Sequence, residues 1–352
     1  MSPDKLRRRV IKTGAGLIGV AAVAGRAPQA VAGDTGNNIE DGRERNDKAM
    51  GLIGNTPLVK LRNLVDGDSA DVFVKFEGTN PTGSMKDRMA LSMIEGAERR
   101  GDLRPGGRVV EYTGGSTGSS LAMICATRGY KTHFVSSNGF SEEKIQTMRA
   151  YGATVELIHA ENGILTANVI DRMIARAKEL IDEPGTFWSD QVNNLDNKRG
   201  YHAMGREILD VLGSEIDEFV MAVGGGGCIS GNAEVLKESV PGIKVVAVEP
   251  YYVRNISGGD TSGKHRLEGI GLSFVPTILR RDLIDDVIPV KDEDAYATAN
   301  ALAQKEGILG GVTSGANVWA ALQRARNLGR GKKVVTVIVD TGLRYLSGDL
   351  YR

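Results

Sequence analysis

The chain has 352 residues, long enough for one large or two medium domains, and 41% apolar with 25% charged residues is ordinary for a globular protein. Its 44 basic residues balance 44 acidic ones, which excludes a global field that would draw nucleic acid or an anionic membrane surface. Two cysteines and four histidines, none of the latter spaced i, i+4, argue against a disulfide framework and against a zinc site.

The N-terminus differs from the rest. Arg7-Arg8-Arg9-Val10-Ile11-Lys12 precedes a Gly/Ala-rich apolar run, TGAGLIGVAAVAG, then Ala30-Val31-Ala32 and a polar stretch. Basic region, apolar region and small-residue site in that order predict an export signal of twin-arginine type over residues 1–32, with a disordered linker over 33–45 and a periplasmic destination. Leu6 stands where a serine or threonine usually precedes the arginine pair, and a basic tail on a cytoplasmic protein is the alternative. The apolar run is too short and too glycine-rich to span a membrane stably.

From Gly54 onward short apolar strands alternate with helical patterns. Strands are predicted at Val72–Phe76, Arg108–Tyr112, Thr132–Ser136, Thr154–Ile158, Phe219–Val223, Lys244–Val248 and Val334–Val339. Several are continuous β-branched runs, as in strands buried on both faces. A helix is predicted over Lys86–Arg100, with Met89, Met93, Ile94 and Ala97 on one side. Ser141 followed by two glutamates opens another, which Gly152 closes. This rhythm is that of an α/β fold with mostly parallel sheets, in which ligands sit where strands give way to helices.

Three such junctions carry unusual residues. The first is Asn80-Pro-Thr-Gly-Ser-Met-Lys86-Asp-Arg88. The second is Thr113-Gly-Gly-Ser-Thr-Gly118, within EYTGGSTGSSLA. In the third, Val223 runs into Gly224, Gly225, Gly226, Gly227 and Cys228 before a helix. Consecutive N–H groups in front of a helix form a cradle for a phosphate. The pattern is neither a Walker loop nor a dinucleotide fingerprint, because the following Lys-Ser/Thr and the downstream acid are missing. A phosphate cradle plus a lysine at another helix start suggests a phosphorylated aldehyde held through that lysine, and pyridoxal 5'-phosphate fits the description.

These residues resemble the cysteine synthase and cystathionine β-synthase family of fold type II pyridoxal-phosphate enzymes. The likeness runs through Ile53-Gly-Asn-Thr-Pro-Leu58, Asn80 to Arg88, Glu268-Gly-Ile-Gly271, Gly311-Val-Thr-Ser-Gly-Ala316 and Asp340-x-Gly-x-Arg-Tyr-Leu-Ser347, over about residues 50 to 352. The resemblance implies two α/β domains with mostly parallel sheets, as in the tryptophan synthase β fold. The smaller would span 80–194, the larger 46–79 plus 195–352, with the site in the cleft between them. A homodimer is the family expectation.

The resemblance also implies roles. Lys86 would be the Schiff-base lysine and, once released by substrate, the base that removes the Cα proton. Gly224, Gly225, Gly226, Gly227 and Cys228 would bind the cofactor phosphate. Thr313, with Ser314 as the alternative, would face the pyridine nitrogen. Thr113, Gly114, Gly115, Ser116 and Thr117 would grip the substrate carboxylate with help from Gln191, and Gly269 with Gly271 would let the backbone pass close to the cofactor.

The family's substrate loop usually reads Thr-Ser-Gly-Asn-Thr-Gly, so Gly114 and Ser116 depart from it; Ser116 stands where an asparagine meets the cofactor's ring hydroxyl. Gly225 and Cys228 replace two threonines in the phosphate loop. The two adjacent glycines predict a looser, mobile substrate clamp. The implied reaction is elimination at Cβ of a serine or cysteine derivative through an aminoacrylate. A sulfide or thiol then adds, as in a cysteine synthase, or the intermediate hydrolyses, as in a cysteine desulfhydrase. A catalytically idle ligand-binding homologue is the competing reading from another class.

Overall fold

The protein is described here by a computed structural model covering residues 49–163, 166–272 and 274–352. The predicted export signal (1–32) and linker (33–45) lie outside the described residues. Residues 45–352 form one compact unit.

Among the described residues ten strands build two sheets. The larger has the order β1-β2-β10-β7-β8-β9, formed by β1 (Leu58–Lys60), β2 (Asp71–Phe76), β7 (Glu218–Ala222), β8 (Lys244–Pro250), β9 (Asp286–Val290) and β10 (Lys333–Ile338). Only β1 runs antiparallel to its neighbour; the other pairs are parallel. The smaller is fully parallel, in the order β5-β4-β3-β6: β3 (Arg108–Tyr112), β4 (Lys131–Ser137), β5 (Thr154–Ile158) and β6 (Thr186–Trp188). Burial on both faces explains the unbroken apolar runs of the central strands, where Val220, Val246, Val248, Val334, Val335 and Val337 are fully buried.

The helices fill the crossovers. They are α1 (Lys86–Arg100), α2 (Ser116–Arg128), α3 (Glu142–Ala150), α4 (Ala167–Ile181), α5 (Leu195–Arg199), α6 (His202–Leu212), α7 (Gly227–Ser239), α8 (Asp292–Ala301) and α9 (Val312–Leu328). Helix α9 lies on the large sheet through Ala316, Ala320, Ala321 and Ala325, small residues that allow close approach. Helix α4 covers the small sheet with Val169, Met173, Ala177 and Leu180, a stripe at helical spacing. A continuous apolar cluster joins the small sheet's helices to the large sheet: Met89, Met93, Leu121, Ile124 and Ile145 share it with Met204, Ile208, Phe219 and Val245.

The seven expected strands all form, two of them to the residue, and α1 spans the predicted 86–100. Ser141 caps α3 by accepting the Lys144 N–H, and Gly152 follows with φ +87°. Three strands escaped the periodicity. β1 and β6 have three residues each, too few for an alternation, and β9 carries Pro289, which an edge strand tolerates. The glycine junction also differs by one position. β7 ends at Ala222, and Gly227 is already the first residue of α7.

Candidate active site

Parallel strands deliver their C-terminal ends to one edge of a sheet, and in the order β2-β10-β7 three of those ends are neighbours. β2 leads to Lys86, β10 to Asp340, and β7 to the glycines.

Lys86 is the first residue of α1, and a buried network fixes that helix start. Arg88 donates to Glu77 at 2.7 and 2.9 Å and to both oxygens of Glu207 at 2.7 Å. Lys75 pairs with Glu207 at 2.7 Å, Asn80 donates to Glu77 at 2.8 Å, and the Asn80 side-chain Oδ1 receives the Gly54 N–H at 2.9 Å. Thr56 closes the ring by donating to Glu77 at 2.6 Å. The Gly-Asn-Thr and Asn-Pro-x-Gly-Ser-x-Lys-Asp-Arg motifs are thus largely one polar scaffold, in which Lys75, Glu77, Arg88 and Glu207 are ion-paired. Asp87 extends it by accepting from Thr82 N, Thr82 Oγ1 and Ser120 Oγ at 2.5–2.8 Å, which ties α1 to α2. Lys86 Nζ itself takes no protein partner among the described residues. Burial pushes its amine below the ordinary value, while nearby Cys228 and Asp340 pull it back up.

The glycine turn is squeezed from two sides. A Cβ on Gly224 would collide with the Gly269 carbonyl, and one on Gly227 with Asn197 Oδ1. Gly226 has φ +80°, which a side chain would strain. At Gly225 the nearest atom to a Cβ lies 3.8 Å away, so the turn opens at that position. No side chain caps α7, which leaves its first N–H groups for a ligand. Cys228 sits in this first turn, its thiol pushed up to about 12 by burial. Open space in front of uncapped N–H donors, with a lysine amine in electrostatic reach, fits a phosphorylated aldehyde such as pyridoxal phosphate. The phosphate would lie on residues 224–228 and the carbonyl carbon at Lys86.

The turn after β3 is tighter than its two glycines suggest. Thr113 Oγ1 accepts the N–H groups of Gly115 and Gly118 at 3.3 and 3.2 Å, so its lone pairs close the turn. The space beside Gly114 is filled by the Phe140 ring, which a Cβ would strike, whereas Gly115 has room. The looser clamp expected from the glycine pair is therefore corrected: a neighbouring ring occupies the volume that a side chain vacated. Thr117 Oγ1 donates to Gln191 Oε1 at 2.8 Å, and Gln191 Nε2 donates to the Tyr112 carbonyl at 3.4 Å, so these two partners are brought together. Beneath them Glu111 accepts from Ser189 Oγ, Gln191 N and Tyr112 N at 2.7–3.1 Å, and burial pushes its carboxyl up to about 7.

Gly269 has φ +83° and Gly271 φ +69°, which shape the segment lying against the glycine turn. Thr313 Oγ1 donates to the Glu268 carbonyl at 2.6 Å, binding α9 to that segment. Ser314 Oγ receives the Val339 N–H at 3.0 Å between α9 and β10. Four residues given no role from sequence join the site. Arg344 donates to Ser116 Oγ at 2.7 Å and to the Thr82 carbonyl. Lys144 pairs with Glu268 and stands 5.0 Å over the Tyr345 ring, whose hydroxyl donates to Asp340 at 2.8 Å. Arg344, Tyr345 and Asp340 fall inside a motif already visible in the sequence; Lys144 carries no such signal. Among the described residues no group of three or more His, Cys, Asp or Glu is placed to hold a metal ion.

The sequence profile described as "Pyridoxal-phosphate dependent enzyme" matches residues 49–340. A cysteine synthase of Staphylococcus aureus is 44% identical over 307 residues, covering 87% of this chain and 97% of its own length. A probable cysteine synthase of Bacillus subtilis is 42% identical over 85% of this chain and 96% of its own. Among solved structures, a cysteine synthase from Entamoeba histolytica superposes with a TM-score of 0.82 at 33% identity, covering 90% of this chain and 94% of its own. A hydrogen sulfide-producing enzyme from Fusobacterium nucleatum gives 0.80 at 38%, covering 85% and 98%. The chain belongs to the cysteine synthase branch of the pyridoxal-phosphate-dependent enzymes.

Proposed function

We propose that the protein makes cysteine from O-acetylserine and sulfide by replacing the group at Cβ. One observation carries the reading: Lys86 is locked by a buried ion network at the start of α1, its amine free of protein partners and within electrostatic reach of the glycine turn. When bound, pyridoxal phosphate supplies the electron sink for the charge released at Cα. The N–H groups of Gly224 to Cys228 would hold its phosphate, and the hydroxyl of Thr313, or that of Ser314, would face its ring nitrogen. The turn at Thr113 to Thr117, backed by Gln191, orients the substrate carboxylate through its N–H groups. Lys86, held more in its neutral amine form by burial, would take the Cα proton.

Incubation with O-acetylserine and sulfide should yield cysteine. A second reading, release of sulfide, pyruvate and ammonia from cysteine, draws support from the likeness to the Fusobacterium sulfide-producing enzyme. Cysteine alone as substrate separates the two. A protein that takes up no cofactor and turns over neither substrate would instead be an idle homologue, and the proposal would fail.

Three coarser features belong to the same reading. The catalytic part divides into a smaller domain, 80–194, holding the four-stranded sheet, and a larger one, 46–79 plus 195–352. The enzyme acts as a homodimer, which sedimentation checks. No described helix is long and apolar enough to cross a membrane. Residues 1–32 direct export through the arginine pair; Arg7→Lys with Arg8→Lys should retain a full-length fusion inside the cell, and unchanged localisation would refute it.

A further inference from the structure

Asp340 follows β10, the strand between those leading to Lys86 and to the glycine turn. It is stitched to the segment before Lys86 and to the start of α9. Asp340 bridges Ser84, Met85 N donates to the Val339 carbonyl at 2.8 Å, and Gly311 N donates to the Asp340 carbonyl at 3.3 Å. The residue is only 4% exposed. Oδ2 receives the Tyr345 hydroxyl, but the buried Oδ1 has no partner. Gly311 permits this placement, since a Cβ there would strike both Oδ1 and the Tyr345 ring.

A buried carboxylate oxygen without a donor demands a compensating charge. Among the described residues three cations act on it electrostatically, Arg344, Lys144 and Lys86. Lys144, from α3, is spent on Glu268 and the Tyr345 ring. Arg344 is spent on Ser116 and Thr82. Among the described residues Lys86 Nζ and Asp340 Oδ1 are both without a hydrogen-bond partner.

We propose that Asp340 is a positioning residue for Lys86, its Oδ1 attracting the lysine ammonium whenever that lysine is released from the cofactor. The inference rests on the reading of Lys86 given above. In the reaction the amine gains the proton lost by Cα and becomes an ammonium, and nothing is oxidised or reduced. The charge next to Lys86 favours its accepting that proton, and Tyr345 holds the carboxyl in orientation. Burial pushes the Asp340 carboxyl up and the Lys86 amine down, and each opposes the other's shift; Cys228 of α7 adds to the pull on Lys86, and Arg344 and Lys144 to that on Asp340.

The test uses cofactor-free enzyme. Lys86 is labelled with acetic anhydride across a pH series, and its modification is followed by peptide mass spectrometry. Asp340→Asn should move the labelling midpoint down by about one pH unit, so that below the midpoint about tenfold more Lys86 reacts. Asp340→Ser, smaller and equally neutral, should shift it the same way if the asparagine variant folds poorly. Tyr345→Phe, which keeps the charge, should move it far less. Unchanged midpoints in both Asp340 variants overturn the proposal. Borohydride reduction of loaded wild-type enzyme with peptide mapping checks the underlying reading separately: cofactor fixed to another lysine overturns the role of Lys86 itself.

Discussion

Arg344 donates one N–H to the Ser116 hydroxyl at 2.7 Å and another to the Thr82 carbonyl, so a single guanidinium joins the turn after β3 to the turn before Lys86. Two loops from different sheets are held in register by a planar fork, a role that lysine's point charge does not reproduce.

Arg344→Ala should therefore loosen the substrate turn without touching the phosphate cradle. Hydrogen bonds from a charged donor contribute about 1.5–3 kcal/mol, so the substrate KM should rise about tenfold or more while the cofactor Kd stays within about twofold. Arg344→Lys should recover only part of the loss. Steady-state kinetics and cofactor titration check both; a cofactor Kd that rises as much as the KM would show that Arg344 supports the whole fold.

The glycine turn makes an unequal prediction for its members. Gly224→Ala pushes a methyl into the Gly269 carbonyl, and should weaken cofactor binding at least tenfold. Gly225→Thr meets nothing closer than 3.8 Å. It adds a hydroxyl beside the phosphate, worth about 1 kcal/mol, and should tighten binding several-fold. Equal Kd values for the two variants would contradict the cradle.

At Gly114 the Phe140 ring stands where a serine side chain would go. Gly114→Ser should destabilise the protein by about 1–3 kcal/mol through overpacking. Phe140→Ala also destabilises, but the double variant should lose less than the sum of the two. Urea unfolding of all four proteins gives the coupling energy, and strict additivity would show that the ring is free to move aside.

Glu111 supplies a pH dependence. Its folded carboxyl is pushed up to about 7 by burial, against an ordinary 4.5. The folded state then holds this proton more tightly than the unfolded chain, so the contribution is fully present below pH 4.5 and is lost as pH rises through 7. A shift of this size corresponds to a few kcal/mol, on the order of 3, across that window. Glu111→Gln should flatten the stability profile between pH 5 and 7 even though it is less stable at its maximum. Denaturant midpoints at several pH values decide the matter.

Sequence alone determined the α/β class, the seven main strands and the start of α1 at Lys86. These are local properties: β-branched runs, capping residues and consecutive glycines state their consequences within a few residues. It also identified the family, through motifs whose purpose it did not disclose. Only the tertiary structure showed that Thr56, Glu77, Asn80, Arg88 and Glu207 form one polar network, because their partners lie up to 119 residues apart or on another element. Only it showed Phe140 filling the space beside Gly114, where the sequence read a loose hinge. The unpartnered oxygen of Asp340 and the free amine of Lys86 belong to this second kind of knowledge. That the strands leading to them are neighbours depends on β10 inserting between β2 and β7, and a parallel strand order is set by packing across the sheet, not by neighbours in the chain.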